Sequence, residues 1–103
     1  MNIITDQRCT DYHRPGHPEQ PKRISRTVEI LRAQTELTLS WHEPAAVKDE
    51  VIWQAHEAAL LARLEQQVDL DPDTPAYPGI AEHARRSVGG GLRAMRQALQ
   101  GEL

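Results

Sequence analysis

The last quarter of the chain carries a pattern that leaves few choices of fold. Ile80, Ala84, Val88, Leu92, Met95 and Leu99 recur three or four positions apart, the spacing of one apolar stripe on an amphipathic α-helix of about twenty residues. In the middle of that stretch stands Gly89-Gly90-Gly91. Each glycine inside a helix costs about 1 kcal/mol relative to alanine. The triplet therefore marks either a break in the helix or a place where another backbone comes too close for a side chain. Gly101 marks the C-terminal end of the element.

The elements before it are short. Asn2-Ile3-Ile4-Thr5 reads as a strand, with turn chemistry at Asp6. Residues 7–20 form a polar loop broken by Pro15, Gly16 and Pro18, long enough to imply a function. Pro21 begins a helix, where its missing N–H costs nothing, and Ile24, Val28 and Leu31 give that helix its apolar stripe. Leu37, Leu39 and Trp41 alternate with Thr38, Ser40 and His42, a strand pattern ended by Pro44. Asp49 is placed to N-cap a helix carrying Val51, Ile52 and Ala55, and Leu60, Leu61 and Leu64 continue a helical face after a break near His56. The Asp and Pro density from Val68 to Pro78 makes that stretch a second loop. Strand, helix, strand, helix, loop, helix implies an α/β layer architecture in one domain spanning 1–103.

Composition sets limits on this domain. A chain of 103 residues supports one modest core, and with no Phe and only Trp41, Trp53, Tyr12 and Tyr77 as aromatics that core is aliphatic and its stability marginal. A formal charge of −3 gives no reason to expect nucleic-acid binding. No stretch approaches the ~18 apolar residues that span a bilayer. Cys9 is the single cysteine, so no internal disulfide forms, which fits a cytoplasmic location.

Several short motifs now line up. Gly16-His17-Pro18-Glu19-Gln20-Pro21-Lys22-Arg23-Ile24 resembles the HPE-x-P-x-R-[IL] run that opens the first helix in the histone deacetylases and their bacterial relatives, the acetoin-utilisation proteins and acetylpolyamine amidohydrolases. Trp41 to Ala45 is similar to the family's "EP-x-x-A" strand end, and Ala55-His56-Glu57 with Leu60 and Leu64 to its "VH" helix pair. Leu70 to Pro75 resembles the "D-x-P" loop, and Val88 to Gly91 the "GG" helix beyond it. The matches fall in the family's order across nearly the whole chain.

The resemblance implies a partial three-layer arginase/deacetylase fold, with short parallel strands packed against three to four helices. It also implies hydrolysis of an acetyl-amide by water bound to Zn²⁺, the metal polarising the carbonyl and a histidine collecting the proton. In the family the base is a His-His pair after the GG helix, and the metal is held by Asp-x-His and further aspartates. No His-His pair occurs in this sequence, and its one Asp-x-His, Asp11-Tyr12-His13, lies in the loop before the first helix rather than after the GG helix. The expectation is thus an N-terminal segment of a zinc amidohydrolase, with no catalytic residue and no cofactor ligand of its own and no turnover alone. Two family roles carry over by position. Asp73 matches the rim aspartate that orients the substrate backbone, and Arg23 the arginine lining the internal channel below the metal.

Other residues have two readings. Cys9, His13 and His17 are Zn²⁺-type ligands with three residues between each, but no fourth ligand is visible and loop roles are favoured. Asp69, Asp71 and Asp73 lack the glycine and distant glutamate of a calcium loop, which favours a solvated loop. His56 reads as packed or capping. The helix stripe reads as a core face, part of it uncovered because the family's central strands are absent. An uncovered apolar face of that kind implies either a homo-oligomer or a missing C-terminal portion as partner. Two further readings remain: a stand-alone dimerising module, and half of an active site completed by another chain.

Overall fold

The computed structural model describes residues 1–11, 15–18, 20–66, 68–71 and 75–102. Two strands, β1 (Asn2–Ile4) and β2 (Ser40–His42), pair in parallel with Asn2 opposite Ser40 and Ile4 opposite His42. Around them lie a 3₁₀ turn (Gln7–Thr10) and four helices: α1 (Lys22–Ala33), α2 (Asp49–Ile52), α3 (Ala58–Glu65) and α4 (Ile80–Leu99). Parallel pairing needs a crossover, and α1 provides it. The result is a mixed α/β arrangement of two parallel strands and four helices.

β2 is shorter than the alternation of Leu37, Leu39 and Trp41 implies. The Gln34 side chain folds the intervening chain into a turn: its Oε1 accepts from the Leu37 N–H at 2.8 Å, and its Nε2 donates to the Leu37 carbonyl at 3.0 Å. Leu37 is left 53% exposed, and the ladder begins only where β1 offers partners. Ser40 N–H donates to the Met1 carbonyl and Thr5 N–H to the His42 carbonyl, both at 2.9 Å.

α4 runs unbroken through the glycine triplet, so of the two readings of Gly89-Gly90-Gly91 the close approach holds. A Cβ on Gly89 would lie 1.7 Å from the Ala45 carbonyl oxygen, and one on Gly90 3.3 Å from Pro44. Nothing lies within 4 Å of a Cβ on Gly91. The segment after β2 crosses the helix at this point, and the Val47 N–H donates to the Arg85 carbonyl at 3.2 Å. Gly101, in the left-handed region at φ 79°, follows the helix as expected.

That approach also fixes which side of α4 faces inward. Ala81 is buried and Arg85 and Gly89 face the rest of the chain on the same side, whereas Val88, Met95 and Leu99 are 37%, 51% and 80% exposed. The expected core stripe is therefore rotated: Ile80, Ala84 and Leu92 are half-buried and the rest of it faces outward. Further along, Arg93 joins the helix to both strands. Its Nη1 donates to the Glu43 carbonyl and its Nη2 to His42 Nδ1. A guanidinium only donates, so Nδ1 accepts and the other ring nitrogen, Nε2, carries the proton it donates to Asn2 Oδ1 at 2.9 Å.

The second cluster lies where α2, α3 and α4 meet. Asp49 is the first helical residue rather than the N-cap, a position held by Lys48 without a side-chain bond. Its carboxylate is drawn instead to Arg85, whose Nε donates to Asp49 at 2.8 Å while its terminal nitrogens reach Glu65 at 2.6 Å and Glu82 at 3.3 Å. Hydrogen bonds to Asp49 and then Glu65 push the Arg85 guanidinium above its ordinary pKa. Ile52, Leu61 and Ala81, together with Pro75, are the buried apolar residues among those described. A domain of this length has a radius of gyration of about 13 Å; here it is 15.4 Å, in a slab of 44 × 34 × 16 Å. The core is thin and one side of the sheet is open.

Candidate functional site

The open side is a groove of about 800 Å³ between β1 and α4. Among the described residues β1 pairs on one edge only. Met1 and Thr5 bond to β2, so the alternation of a parallel ladder turns the backbone groups of Asn2 and Ile4 towards the groove. Gly90, Gly91 and Ala94 give α4 a small-residue wall there.

At the C-terminal end of β1 the groove meets charge. Asp6 leaves the strand with extended backbone and caps the 3₁₀ turn, accepting from the Arg8 N–H at 2.9 Å. The Arg8 side chain closes on the same carboxylate, with Nε 2.9 Å from Oδ1 and 3.0 Å from Oδ2, and Nη2 on Oδ2 as well. Asp6 is only 7% exposed. Its hydrogen bond from the Arg8 guanidinium holds its pKa below the usual carboxylate range, against the opposing effect of burial.

Arg86 comes in from α4. Its Nε stands 3.7 Å from Asp6 Oδ2, beyond hydrogen-bond reach, and is buried with no hydrogen-bond partner among the described residues. Neighbouring groups respond to this setting. Burial pushes the His83 imidazole pKa down and the Arg86 charge lowers it further, while Asp6 pulls the other way. Burial, then the Asp6 carboxylate, push the Cys9 thiol up. Near neutral pH the groove end thus carries a neutral imidazole and a protonated thiol beside Asp6 and Arg86, and the adjoining cavity, which Arg8 and Arg86 line, also holds Asp11 and Glu82.

Asp6 gives a pH dependence whose sign follows from its depressed folded-state pKa. The stabilisation is fully present above the ordinary carboxylate value of about 4 and is lost as pH falls through the lower folded value. Half of the Arg8 side chain is exposed, so the contribution is modest, about 1–2 kcal/mol with the turn cap included. Urea midpoints measured from about pH 5 down to pH 2 should fall in the parent chain and fall less steeply in Asp6→Asn.

The residues singled out from the sequence are scattered by comparison. Arg23 sits on the exposed first turn of α1, its N–H donating to the Gln20 carbonyl and its own carbonyl accepting from Thr27 Oγ1; it does not line the groove. Asp73 and His13 lie outside the described residues. Asp69 accepts from the Ala76 N–H at 2.7 Å and so closes its own loop. His56 is exposed, and its backbone N–H, bonded to the Ile52 carbonyl, ends α2. Among the described residues no group of three or more His, Cys, Asp or Glu is arranged to hold a metal ion. The described residues therefore do not fit Zn²⁺, and no catalytic step is assigned to them through it.

Asp6, Arg85 and Arg86 were not singled out by the sequence reading, although a signal for Arg85 is there. Ala81, Arg85 and Gly89 are spaced by four, and a glycine that admits a neighbouring backbone marks its own face as the inward one.

No helix among the described residues is long and apolar enough to cross a membrane. Searches among curated proteins and among solved structures gave no significant match. The description of the histone deacetylase domain, in contrast, matches residues 17–103, and the chain belongs to the histone deacetylase family.

Proposed function

We propose that this chain is the N-terminal part of a zinc-dependent acetyl-amide hydrolase of the arginase/deacetylase fold, and that it does not turn over substrate by itself. The observation that carries this reading is the family match over 17–103 in a sequence without a His-His pair and with no Asp-x-His after its GG helix. The architecture supports it. A parallel sheet in an α/β domain is covered on both faces, yet among the described residues it has two strands, an unpaired β1 edge and an open groove beside it. On this reading Zn²⁺ would be held by protein groups that the chain does not supply. Arg23 would line the internal channel and Asp73 the rim of a pocket completed by a C-terminal portion or by another chain. Zinc titration followed by equilibrium dialysis tests the point: no stoichiometric tight binding is expected, and one tightly bound Zn²⁺ per chain would overturn the reading.

The partner reading is a stand-alone dimerising module, and the observation favouring it is the outward row of Val88, Met95 and Leu99 on α4 with Ile30, 60% exposed, on α1. Apolar rows of this kind favour association. Light scattering with a hydrophobic dye checks it. Dye binding and a mass above that of the monomer are expected, and a monomer that binds no dye contradicts it.

A further inference from the structure

We propose that His83 is a pH-sensitive catch between α4 and the corner where β1 turns into the 3₁₀ segment: neutral, it lets the two pack together, and protonated, it loosens them. The residue is placed for this. It is the fourth residue of α4, and its N–H donates to the Gly79 carbonyl at 3.0 Å. Its side chain lines both the groove beside β1 and the cavity of about 340 Å³ next to it. The corner contributes Asp6 and Cys9 to the groove, and Arg8 and Asp11 to the cavity. His83 is therefore part of the wall along which the helix meets the corner.

Three features of that position oppose a positive charge. The imidazole is half-buried. It stands in the first turn of a helix, where the backbone N–H groups already carry partial positive charge. Arg86, three residues on and only 13% exposed, brings a full one. Asp6 pulls the other way, but both of its oxygens are held by the Arg8 fork. The remaining groups around the two spaces add little. Glu82 is engaged by Arg85, Asp11 and Glu102 are exposed, the Met1 amine is bonded to the Thr38 carbonyl, and Cys9 and Tyr77 contribute a thiol and a phenol. Burial and then Arg86 accordingly lower the imidazole pKa against the pull of Asp6. Histidine changes charge between about pH 5 and 8. Since the folded chain binds this proton more weakly than the unfolded one, the stabilisation is complete above the ordinary histidine value of about 6.5. It is lost as pH falls from there through the lower folded value.

The catch needs no metal and does not rest on the hydrolase reading; either can fail without the other. It also works in a pH window above that of Asp6. The test follows the histidine Cε1–H resonances of the full chain by NMR from about pH 8 down to about pH 5, folded and again in urea, with His83 assigned by its disappearance in His83→Gln. The folded His83 midpoint should lie below the one in urea. Arg86→Met should move it upwards, a response that a merely structural role of either residue does not give, while Arg26→Met, a change on exposed α1 surface, should leave it in place. Over the same window the urea unfolding midpoint should fall in the parent and fall less in His83→Gln. If Arg86→Met does not fold, the comparison of folded and unfolded parent decides. A folded midpoint at or above the one in urea, or an equal loss of stability in the parent and His83→Gln, would overturn the proposal.

Discussion

Replacing Gly89 with alanine is expected to abolish the folded state, while the same change two residues later stabilises it. A methyl group at position 89 would meet the Ala45 carbonyl oxygen at 1.7 Å and its carbon at 2.9 Å. These are backbone atoms, tied to α4 by the Val47 N–H bond to the Arg85 carbonyl, and they cannot swing away as a side chain does. Overpacking usually costs about 1–3 kcal/mol, and a clash against fixed backbone falls at or beyond the upper end of that range. A thin core has little to set against it, since small domains are stable by only about 5 kcal/mol or less. At Gly91 there is open space, and alanine gains about 0.4–1 kcal/mol from helix propensity and a less flexible unfolded chain. Circular dichroism melts of the two variants beside the parent chain check both halves. Equal behaviour at the two sites would show that α4 does not cross Ala45 as described.

The second large effect is expected at Arg85. This side chain is 15% exposed and holds Asp49, Glu65 and Glu82, one each from α2, α3 and α4. Arg85→Met keeps most of the volume but leaves three carboxylates facing one another. Removing one partner of a fully buried ion pair costs about 3–5 kcal/mol. The acids here are 40–56% exposed, so solvent screening reduces the expected loss to about 1–3 kcal/mol. Urea unfolding at neutral pH measures this, and a variant as stable as the parent would remove Arg85 from its place at the helix junction.

The sequence showed some of this and not the rest, for physical reasons that differ from residue to residue. The period of α4 and the end signal at Gly101 are local properties, and both are legible. So was the meaning of the glycine triplet, up to the choice between a break and a close approach, which depends on a segment more than forty residues away. The rotation of α4 was not legible, because apolar periodicity names a stripe but not what covers it. In this chain Gly89 faces Ala45, and that contact turns Val88, Met95 and Leu99 outward. β2 came out shorter than its alternation because Gln34 closes a turn on Leu37, a side-chain bond that periodicity does not register. The candidate site followed the same division. The family motifs led to Arg23 and Asp73, whereas the buried Asp6–Arg86 contact joins residues far apart in sequence and is visible only in the fold.

Hydrolysis of an acetyl-amide by the isolated chain, assayed with an acetyl-lysine substrate in the presence of Zn²⁺ and again after chelation, tests the central claim most directly. The account predicts no turnover above the buffer blank in either condition. Turnover that appears with Zn²⁺ and disappears with the chelator would contradict it.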